Sequence, residues 1–377
     1  MRIGIPAETA VGETRVAATP ETVKKLIAQG HTVHVQSGAG VAASAVDSAY
    51  QAVGAEIVDA ATAFGAELVL KVQAPDSQEL TLMRPGTTLV GMLNPFDAEG
   101  LQRLAGAGLT AFALEAAPRS TRAQSMDVLS SQANVAGYKA VMLAANHYQR
   151  LFPMLMTAAG TIKAARVVVL GVGVAGLQAI ATAKRLGAVI EASDVRPAVK
   201  EQVESLGGKF IDVPYETDEE REAAEGVGGY ARPMPQSWLD RQQQEVAKRV
   251  AQADVVISTA LIPGRAAPVL ISEDMVRAMK PGSVIVDLAA GRGPDGKGGN
   301  CPLTEAGEIV QKHGVTLIGY SNLPAMVAAD SSSLYARNIL DFLKLVLPPE
   351  ATEVQVPMDD DIVAACLVAR AGQVLRT

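Results

Sequence analysis

The chain has 377 residues, a formal charge of −7 at pH 7, 49% hydrophobic residues, 4% aromatic residues and two cysteines. This length suits two domains with a large core. The acidic balance disfavours nucleic acid or an anionic membrane surface as the main partner. Two cysteines are too few for a disulfide framework, which favours a reducing cytoplasm. We find no apolar run of about 18 residues that would span a bilayer, and the N-terminus begins on a predicted strand rather than a signal peptide.

The first 115 residues alternate short apolar runs with amphipathic helical patterns. Alternation of this kind predicts a parallel sheet with crossover helices. A helix over 20–29 is well marked, because Thr19 can cap it, Pro20 suits its first turn and Gly30 ends it. The predicted strands are 2–5, 32–36, 68–72, 88–92 and 109–113.

A long helix over 131–150 is predicted to join this region to a second one. The second region has enough apolar runs for a complete doubly wound nucleotide domain. Its predicted strands are 166–170, 189–193, 209–213, 255–258, 283–288 and 315–318. The helical stretch 333–346 comes too late to extend that sheet, so we expect it to return to the first domain.

The predicted fold class is therefore α/β, with two Rossmann-like domains built on doubly wound parallel sheets. The first domain is expected to be discontinuous, with residues 1–135 joined by residues 325–377. The second is expected to span residues 136–324.

A glycine-rich turn follows the first strand of the second series. Gly171 allows a tight turn, Gly173 lets backbone amides approach a pyrophosphate, and Gly176 lets the next helix pack closely. The N-terminus of that helix, at Val174, then faces the phosphates. Asp194 lies 18 residues after Gly176, at the end of the next strand. A carboxylate there can accept the ribose hydroxyls of NAD and would repel the 2′-phosphate of NADP, so a dinucleotide site is predicted.

Three further segments break the βα pattern. Residues 214–235 are acidic, glycine-rich and bracketed by prolines where a short crossover is expected, which predicts a mobile or ligand-binding loop. Residues 291–299 are rich in glycine like a phosphate loop but lack the Walker spacing, which favours a surface turn or insertion. The acidic run 359–361 is interpreted as a solvated turn.

The opening of the chain carries a family signature. Gly-Ile-Pro-x-Glu at 4–8 is followed by Glu-x-Arg-Val-Ala-x-Thr-Pro at 13–20. Arg15 in this segment can clamp a carboxylate or phosphate, or can simply pair with Glu13. The signature is similar to that of the alanine dehydrogenase and pyridine-nucleotide transhydrogenase family. The glycine turn and Asp194 fall where that family has its NAD site, and the resemblance covers essentially the whole chain.

The resemblance leaves two activities to be distinguished. An alanine dehydrogenase would need an Arg and a Lys for its substrate, a His as acid/base and an Asp after a late strand. Arg15 and Lys71 match the first two positions, but Asn94 and Gly291 stand at the other two. Asparagine cannot exchange a proton near neutral pH, so oxidative deamination loses its general acid/base.

Residues 118–134 instead resemble the loop with which the transhydrogenases of this family hold NAD(H). The match gives contacts to the nicotinamide, its ribose and the phosphates to Arg119, Gln124, Asp127 and Ser130, and the first three are the expected catalytic residues. The amide of a glutamine can donate and accept hydrogen bonds without transferring a proton. Hydride exchange between two nicotinamides needs positioning and exclusion of water more than acid/base chemistry. A polar linker into the long helix is the generic alternative.

The other contacts with NAD(H) that the resemblance implies lie around the glycine turn. They come from loops after neighbouring strands, from the following helix, and from a mobile loop that closes over the dinucleotide. These residues are Asp194, Val195, Arg196, Gly229, Tyr230, Gln242, Ala260 and Leu261. No metal site is expected.

The sequence thus predicts the NAD(H)-binding component of a proton-translocating transhydrogenase, which passes hydride from NADH to NADP⁺ on a partner. The resemblance implies two partners, the NADP(H)-binding domain of a β subunit and a small membrane α-type subunit, and also a homodimer. It places the chain in the cytoplasm, peripheral to the bacterial inner membrane through those partners. An alanine dehydrogenase and a non-catalytic NAD-sensing module are the alternatives.

Overall fold

The computed structural model describes residues 1–225, 234–262, 264–294, 296–349 and 351–376. The strands are β1 (Arg2–Ile5), β2 (Thr32–Gln36), β3 (Glu56–Val58), β4 (Leu68–Gln73), β5 (Thr88–Met92), β6 (Thr110–Ala113), β7 (Leu155–Thr157), β8 (Gly160–Ile162), β9 (Arg166–Leu170), β10 (Val189–Ser193), β11 (Lys209–Phe210), β12 (Val255–Ser258), β13 (Val284–Asp287), β14 (Ile309–Lys312), β15 (Val315–Ile318), β16 (Leu367–Arg370) and β17 (Gln373–Val374). The helices are α1 (Pro20–Ala28), α2 (Asp47–Gln51), α3 (Ala60–Phe64), α4 (Ser77–Leu82), α5 (Ala98–Gly106), α6 (Val128–His147), α7 (Val174–Arg185), α8 (Lys200–Ser205), α9 (Asp218–Glu225), α10 (Gln236–Val250), α11 (Glu273–Ala278), α12 (Ala328–Val346) and α13 (Asp361–Cys366).

The chain divides into two compact units. One comprises residues 1–132 and 324–377, and the other comprises residues 133–323. Among the described helices, none combines the length and the apolarity needed to cross a membrane.

The first unit is built on one sheet, whose described strands lie in the order β17-β16-β6-β5-β4-β1-β2-β3. The six strands from β6 to β3 run parallel to one another. At the other edge, β16 runs antiparallel to both β6 and β17. Crossover helices between parallel strands cover the faces of such a sheet, and Ile3 and Ile5 of the central strand β1 are completely buried.

Helix α12 packs on this sheet, although it follows the second unit in the chain. Its buried residues recur at spacings of three and four, as in Tyr335, Ile339, Phe342 and Val346, which gives the helix one apolar face. The ring of Phe342 lies 5.3 Å from the ring of Phe112 in β6. The C-terminal part of the chain therefore completes the core of the first unit.

The second unit has a sheet whose described strands lie in the order β11-β10-β9-β12-β13-β15-β14. All neighbours are parallel except β14, which pairs antiparallel with β15. From β9 the chain builds outward to β10 and β11, and then returns to place β12 on the other side of β9. Ligands bind at such a switch point in open α/β sheets, beyond the carboxyl ends of the strands. The predicted α/β fold with doubly wound, parallel-dominated sheets is confirmed.

Helix α6 begins three residues earlier than predicted, at Val128. The cause is a cap that the hydrophobic pattern does not show: the carboxylate of Asp127 accepts hydrogen bonds from the backbone N–H of Ser130 at 2.8 Å and from its hydroxyl at 2.6 Å. Further along, Gly137 faces the first turn of α7. A side-chain carbon at Gly137 would lie 2.1 Å from the carbonyl oxygen of Ala175, so only glycine allows this approach.

The acidic run 359–361 is not simply a solvated turn, as the sequence suggested. The carboxylate of Asp360 accepts hydrogen bonds from the backbone N–H groups of Ile362 and Val363, which makes it the cap of α13. It also forms an ion pair with Arg122 at 2.6 Å. Asp360 therefore stabilises both a helix and the loop that carries Arg122.

The close packing at Gly137 gives a prediction for stability. We expect Gly137→Ala to lower the midpoint of thermal unfolding, because the added methyl group forces α6 away from α7, and overpacking of this kind costs about 1–3 kcal/mol. Calorimetry measures the midpoint. Gly106→Ala is the matched control, since no heavy atom lies within 4 Å of the added carbon, and this change should stabilise α5 by up to about 1 kcal/mol. An unchanged midpoint for Gly137→Ala would contradict the close approach.

Candidate functional site

The predicted glycine turn lies at the switch point, directly after β9. Gly171 has φ of +89°, which side chains other than glycine rarely adopt. A side-chain carbon there would also lie 2.9 Å from the hydroxyl of Thr259. At Gly173, by contrast, an added carbon would meet no atom within 4 Å, so the space beside this residue is open.

Helix α7 begins at Val174, immediately after this open space. Gly176 is buried in its first turn, and a side-chain carbon there would lie 2.0 Å from the carbonyl oxygen of Gly171. The first amides of a helix have no intrahelical acceptor, and the helix dipole adds partial positive charge at this end. The open space and the helix N-terminus together fit an anionic group such as a diphosphate.

Asp194 follows β10 and folds back onto the glycine turn. Its side chain is only 7% exposed. The carboxylate accepts hydrogen bonds from the backbone N–H of Val172 at 2.7 Å and from the backbone N–H of Arg196 at 2.9 Å. The guanidinium of Arg196 donates to both carboxylate oxygens at 3.0 Å. Asp194 thus fixes the shape of the turn, and a ribose hydroxyl would have to share or replace the donors of Arg196.

The next predicted contacts lie beside Asp194. Gln242 in α10 donates from its side-chain amide to the hydroxyl of Ser193, at 3.2 Å. Val195 packs against an apolar cluster that includes Trp238 and Tyr215, whose rings are stacked 5.7 Å apart. The predicted residues Gly229 and Tyr230 lie outside the described residues.

The loop after β12 carries the remaining predicted contacts of this unit, Ala260 and Leu261. The hydroxyl of Thr259 donates to the carbonyl oxygen of Gly171 at 2.8 Å, so this loop lies against the glycine turn. Both peptide groups of Ala260, its N–H and its C=O, bond to the side-chain amide of Asn300. Leu261 is exposed. The glycine turn, Asp194 and the Ala260 loop therefore form one site.

The end of segment 291–299 is not a surface turn, contrary to the sequence interpretation. Gly298, Gly299 and Asn300 are buried. A side-chain carbon at Gly299 would lie 2.5 Å from a carboxylate oxygen of Asp287, so the segment returns tightly against the end of β13. Sequence reasoning missed Asn300 and Asp287; a polar residue after a glycine pair and an acid ending a fully apolar strand were the available signals.

The other group of predicted residues lies in the first unit. Arg119 and Gln124 are exposed, whereas Asp127 and Ser130 are half-buried and bonded to each other at the start of α6. The segment is held from α12 by Asn338, whose amide donates to the carbonyl oxygen of Ser125 at 2.7 Å and accepts from the hydroxyl of Ser131 at 2.7 Å. The approach of this group to the glycine turn stays a prediction.

The two cations that match the substrate residues of an alanine dehydrogenase are buried in ion pairs. Arg15 contacts Glu13 at 2.6 Å, and their side chains are 3% and 1% exposed. Burial alone would raise the pKa of Glu13, but hydrogen bonds and charge from Arg15 bring it down to about 2. Lys71 lies 2.9 Å from Glu79 and 3.3 Å from Glu8. Both cations therefore have a structural partner within the chain.

Asn94 occupies the position at which a histidine acid/base was sought. It is exposed and has φ of +53°, in the left-handed region that asparagine tolerates better than most residues. Its backbone N–H and that of Leu93 donate to the carboxylate of Glu115, at 2.7 and 3.1 Å. Burial raises the pKa of Glu115 to about 7. This carboxyl group holds the loop backbone. In the described ranges, no cluster of His, Cys, Asp or Glu could hold a metal ion.

Comparison with known proteins agrees with this geometry. The family model "Alanine dehydrogenase/PNT, N-terminal domain" matches residues 4–136, and "Alanine dehydrogenase/PNT, C-terminal domain" matches residues 140–377. The first portion of the NAD(P) transhydrogenase alpha subunit of Rhodospirillum rubrum, a separate chain, is 50% identical over 383 residues, which cover 100% of this chain and 98% of that protein. A crystal structure of transhydrogenase from Sinorhizobium meliloti matches with a TM-score of 0.88, at 45% identity and with 100% of both chains covered.

Similarity to the deaminating enzymes is lower. An alanine dehydrogenase of Bacillus subtilis is 31% identical over 337 residues, which cover 88% of this chain and 82% of that protein. Both family models together match nearly all of the sequence, from residue 4 to residue 377. This chain therefore belongs to the alanine dehydrogenase/PNT family, and its similarity is greater to the transhydrogenase alpha subunits than to the alanine dehydrogenases.

Proposed function

We propose that this chain is the NAD(H)-binding component of a proton-translocating NAD(P) transhydrogenase, and that it transfers hydride from NADH directly to NADP⁺ on a partner component. One observation carries the proposal: a site shaped for a dinucleotide is present, while Asn94, with no exchangeable proton near neutral pH, stands where deamination needs an acid/base. Full-length similarity to transhydrogenase alpha subunits supports it.

Residues of the second unit would hold the dinucleotide. The open space at Gly173 and the first amides of α7 would bind the diphosphate, since both offer backbone donors to an anion. Asp194 and Arg196 would face the adenosine ribose, and their mutual hydrogen bonds keep the turn rigid before the ligand arrives. Bound NADH supplies the hydride. The protein then contributes orientation and exclusion of water rather than proton transfer.

Residues of the first unit would orient the nicotinamide. Gln124 is exposed, and its amide can donate to and accept from a carboxamide at the same time. Arg119 would supply positive charge to the phosphates. Asp127 and Ser130 are already bonded to each other at the start of α6, so this segment keeps its shape without a ligand.

The partners follow from the proposed reaction. A chain that binds NAD(H) needs a second component for NADP(H), and we assign this role to a domain of a membrane-bound β subunit, with a small membrane α-type subunit. The R. rubrum relative is named as one portion of an alpha subunit, which supports separate subunits. We place the chain in the cytoplasm, at the inner face of the bacterial inner membrane, through these partners.

We also propose a homodimer, and the hairpin β7–β8 supports it. Its two strands pair antiparallel, and the apolar side chains in and beside it lie in solvent: Met154, Met156 and Ile162 are 60%, 70% and 44% exposed. Clustered apolar side chains of this size on a projecting element usually mark an interaction surface. A second copy of the chain would cover them.

Hydride exchange with the partner subunits tests the proposed function. The chain is mixed with and without its membrane partners, and reduction of an acetylpyridine analogue of NAD⁺ by NADPH is followed by absorbance. We expect exchange only when both components are present, because each holds one nicotinamide. Alanine-dependent reduction of NAD⁺ by the chain alone would instead show an alanine dehydrogenase. NADH binding without exchange in the complete complex would indicate an NAD-sensing module.

The role of Gln124 is tested by Gln124→Asn, which keeps the amide but withdraws it by one methylene. We expect the hydride-transfer rate to fall by about 10- to 100-fold, since small misplacements of reacting groups are costly, while NADH affinity changes only a few-fold. Gln102→Asn, at an exposed position of α5, is the control for the same chemical change. An unchanged rate in stopped-flow measurements would remove Gln124 from the site.

The homodimer is tested by Met156→Glu, which places a charge on the hairpin. Sedimentation equilibrium should show weaker self-association, by about tenfold or more, because burying an unpaired carboxylate in an apolar contact is unfavourable. Met358→Glu adds the same charge at another exposed methionine and should leave self-association unchanged. Equal association of both variants and the wild type would exclude the hairpin from the interface.

A further inference from the structure

Asn300 makes an unusual set of contacts beside the proposed NAD(H) site. Its side-chain oxygen accepts from the backbone N–H of Ala260 at 3.1 Å, and its side-chain nitrogen donates to the carbonyl oxygen of Ala260 at 2.9 Å. The same nitrogen donates to the carbonyl oxygen of Pro268 at 2.8 Å. The amide of Asn300 thus binds both peptide groups of one residue, as a neighbouring strand would.

Asn300 is itself held by Asp287, at the end of β13. The carboxylate of Asp287 accepts from the backbone N–H groups of Asn300 and Cys301, at 3.3 and 2.9 Å. It also accepts from the backbone N–H of Ala289 and the hydroxyl of Ser258, at 3.0 and 3.1 Å. Asp287 and Asn300 are both completely buried. The position of the Asn300 side chain is therefore fixed from the backbone of β13.

The same loop also contacts the glycine turn. Ala260 follows Thr259, whose hydroxyl donates to the carbonyl oxygen of Gly171. An added side-chain carbon at Gly171 would lie 3.0 Å from the backbone nitrogen of Ala260, so the two backbones are in contact. Any rotation of the Ala260 peptide groups would change the surface that faces a bound dinucleotide.

We propose that Asn300 is a positioning residue for NAD(H): it fixes the orientation of the Ala260 peptide groups, and Asp287 fixes Asn300. This inference rests on the proposed contact of Ala260 and Leu261 with the dinucleotide. An amide is suited to the role, since it offers a donor and an acceptor on one planar group. Segment 291–299, which the proposed reaction does not use directly, then has a purpose, because its buried end places Asn300.

Asn300→Asp tests the inference with little change in volume. The carboxylate keeps an acceptor for the N–H of Ala260, but it loses both N–H donors and faces the carbonyl oxygens of Ala260 and Pro268. We expect the NADH dissociation constant to rise about tenfold, with one binding site per chain retained. Titration of the quenching of Trp238, the single tryptophan, measures both quantities.

The number of sites separates positioning from general structural support. A variant that merely unfolds in part loses sites and keeps its affinity for NADH in the folded fraction. Gln311→Glu, which adds the same charge at an exposed position of β14, should keep both the affinity and the number of sites. An Asn300→Asp affinity within twofold of the wild type would overturn the inference.

If Asn300→Asp does not fold, amide hydrogen exchange in the wild-type chain decides. The N–H of Ala260 should be protected in the free protein and more protected with NADH. Exchange at the rate of an open loop, or protection that NADH leaves unchanged, would overturn the inference. Because these readouts need only NADH binding, they stay interpretable if hydride exchange with the partner fails. Failure of the Asn300 tests likewise leaves the exchange assay unaffected.

Discussion

Buried carboxylates that bind backbone N–H groups at the ends of parallel strands are the interaction on which both units depend. Where a strand stops, its N–H groups lose their sheet partners, and leaving one buried and unpaired costs about 1–3 kcal/mol. Asp194 binds the N–H of Val172 after β9, and Asp287 binds two N–H groups after the Gly-rich segment. Glu115 does the same for Leu93 and Asn94. The acids give the ligand edge of each sheet a fixed shape.

These acids divide by electrostatic environment. Burial raises the pKa of Glu115 to about 7 and raises that of Asp287 above its ordinary range, because backbone N–H groups only partly replace water. Burial acts in the same direction on Glu13, but Arg15 overcomes it and holds the pKa at about 2. Perturbed acids often mark catalytic sites. Here Glu115 and Asp287 point at loop backbones, and shape rather than proton exchange explains them.

The sequence predicted those parts of the fold whose signals are local. The bounds of β9, β10 and β12 were predicted because uninterrupted apolar runs mark strands buried on both faces. Short, half-exposed strands such as β3 and β14 lack such a run and were missed. In the site, the glycine turn was recognisable from spacing alone. The bond between Ala260 and Asn300 joins positions 40 residues apart, and no periodicity reveals it.

The same scaffold serves deamination and hydride exchange in this family, so the side chains at the strand ends must decide the chemistry. Arg15 and Lys71 look like evidence for an amino-acid substrate. Their buried pairs with Glu13, Glu79 and Glu8 give both cations a structural reason to be present, since removing one would leave a buried carboxylate unpaired. Asn94 has no such obligation: its side chain is exposed, and its backbone N–H, which any residue but proline provides, makes the bond to Glu115. The choice of activity therefore depends on position 94, where the fold leaves the side chain free.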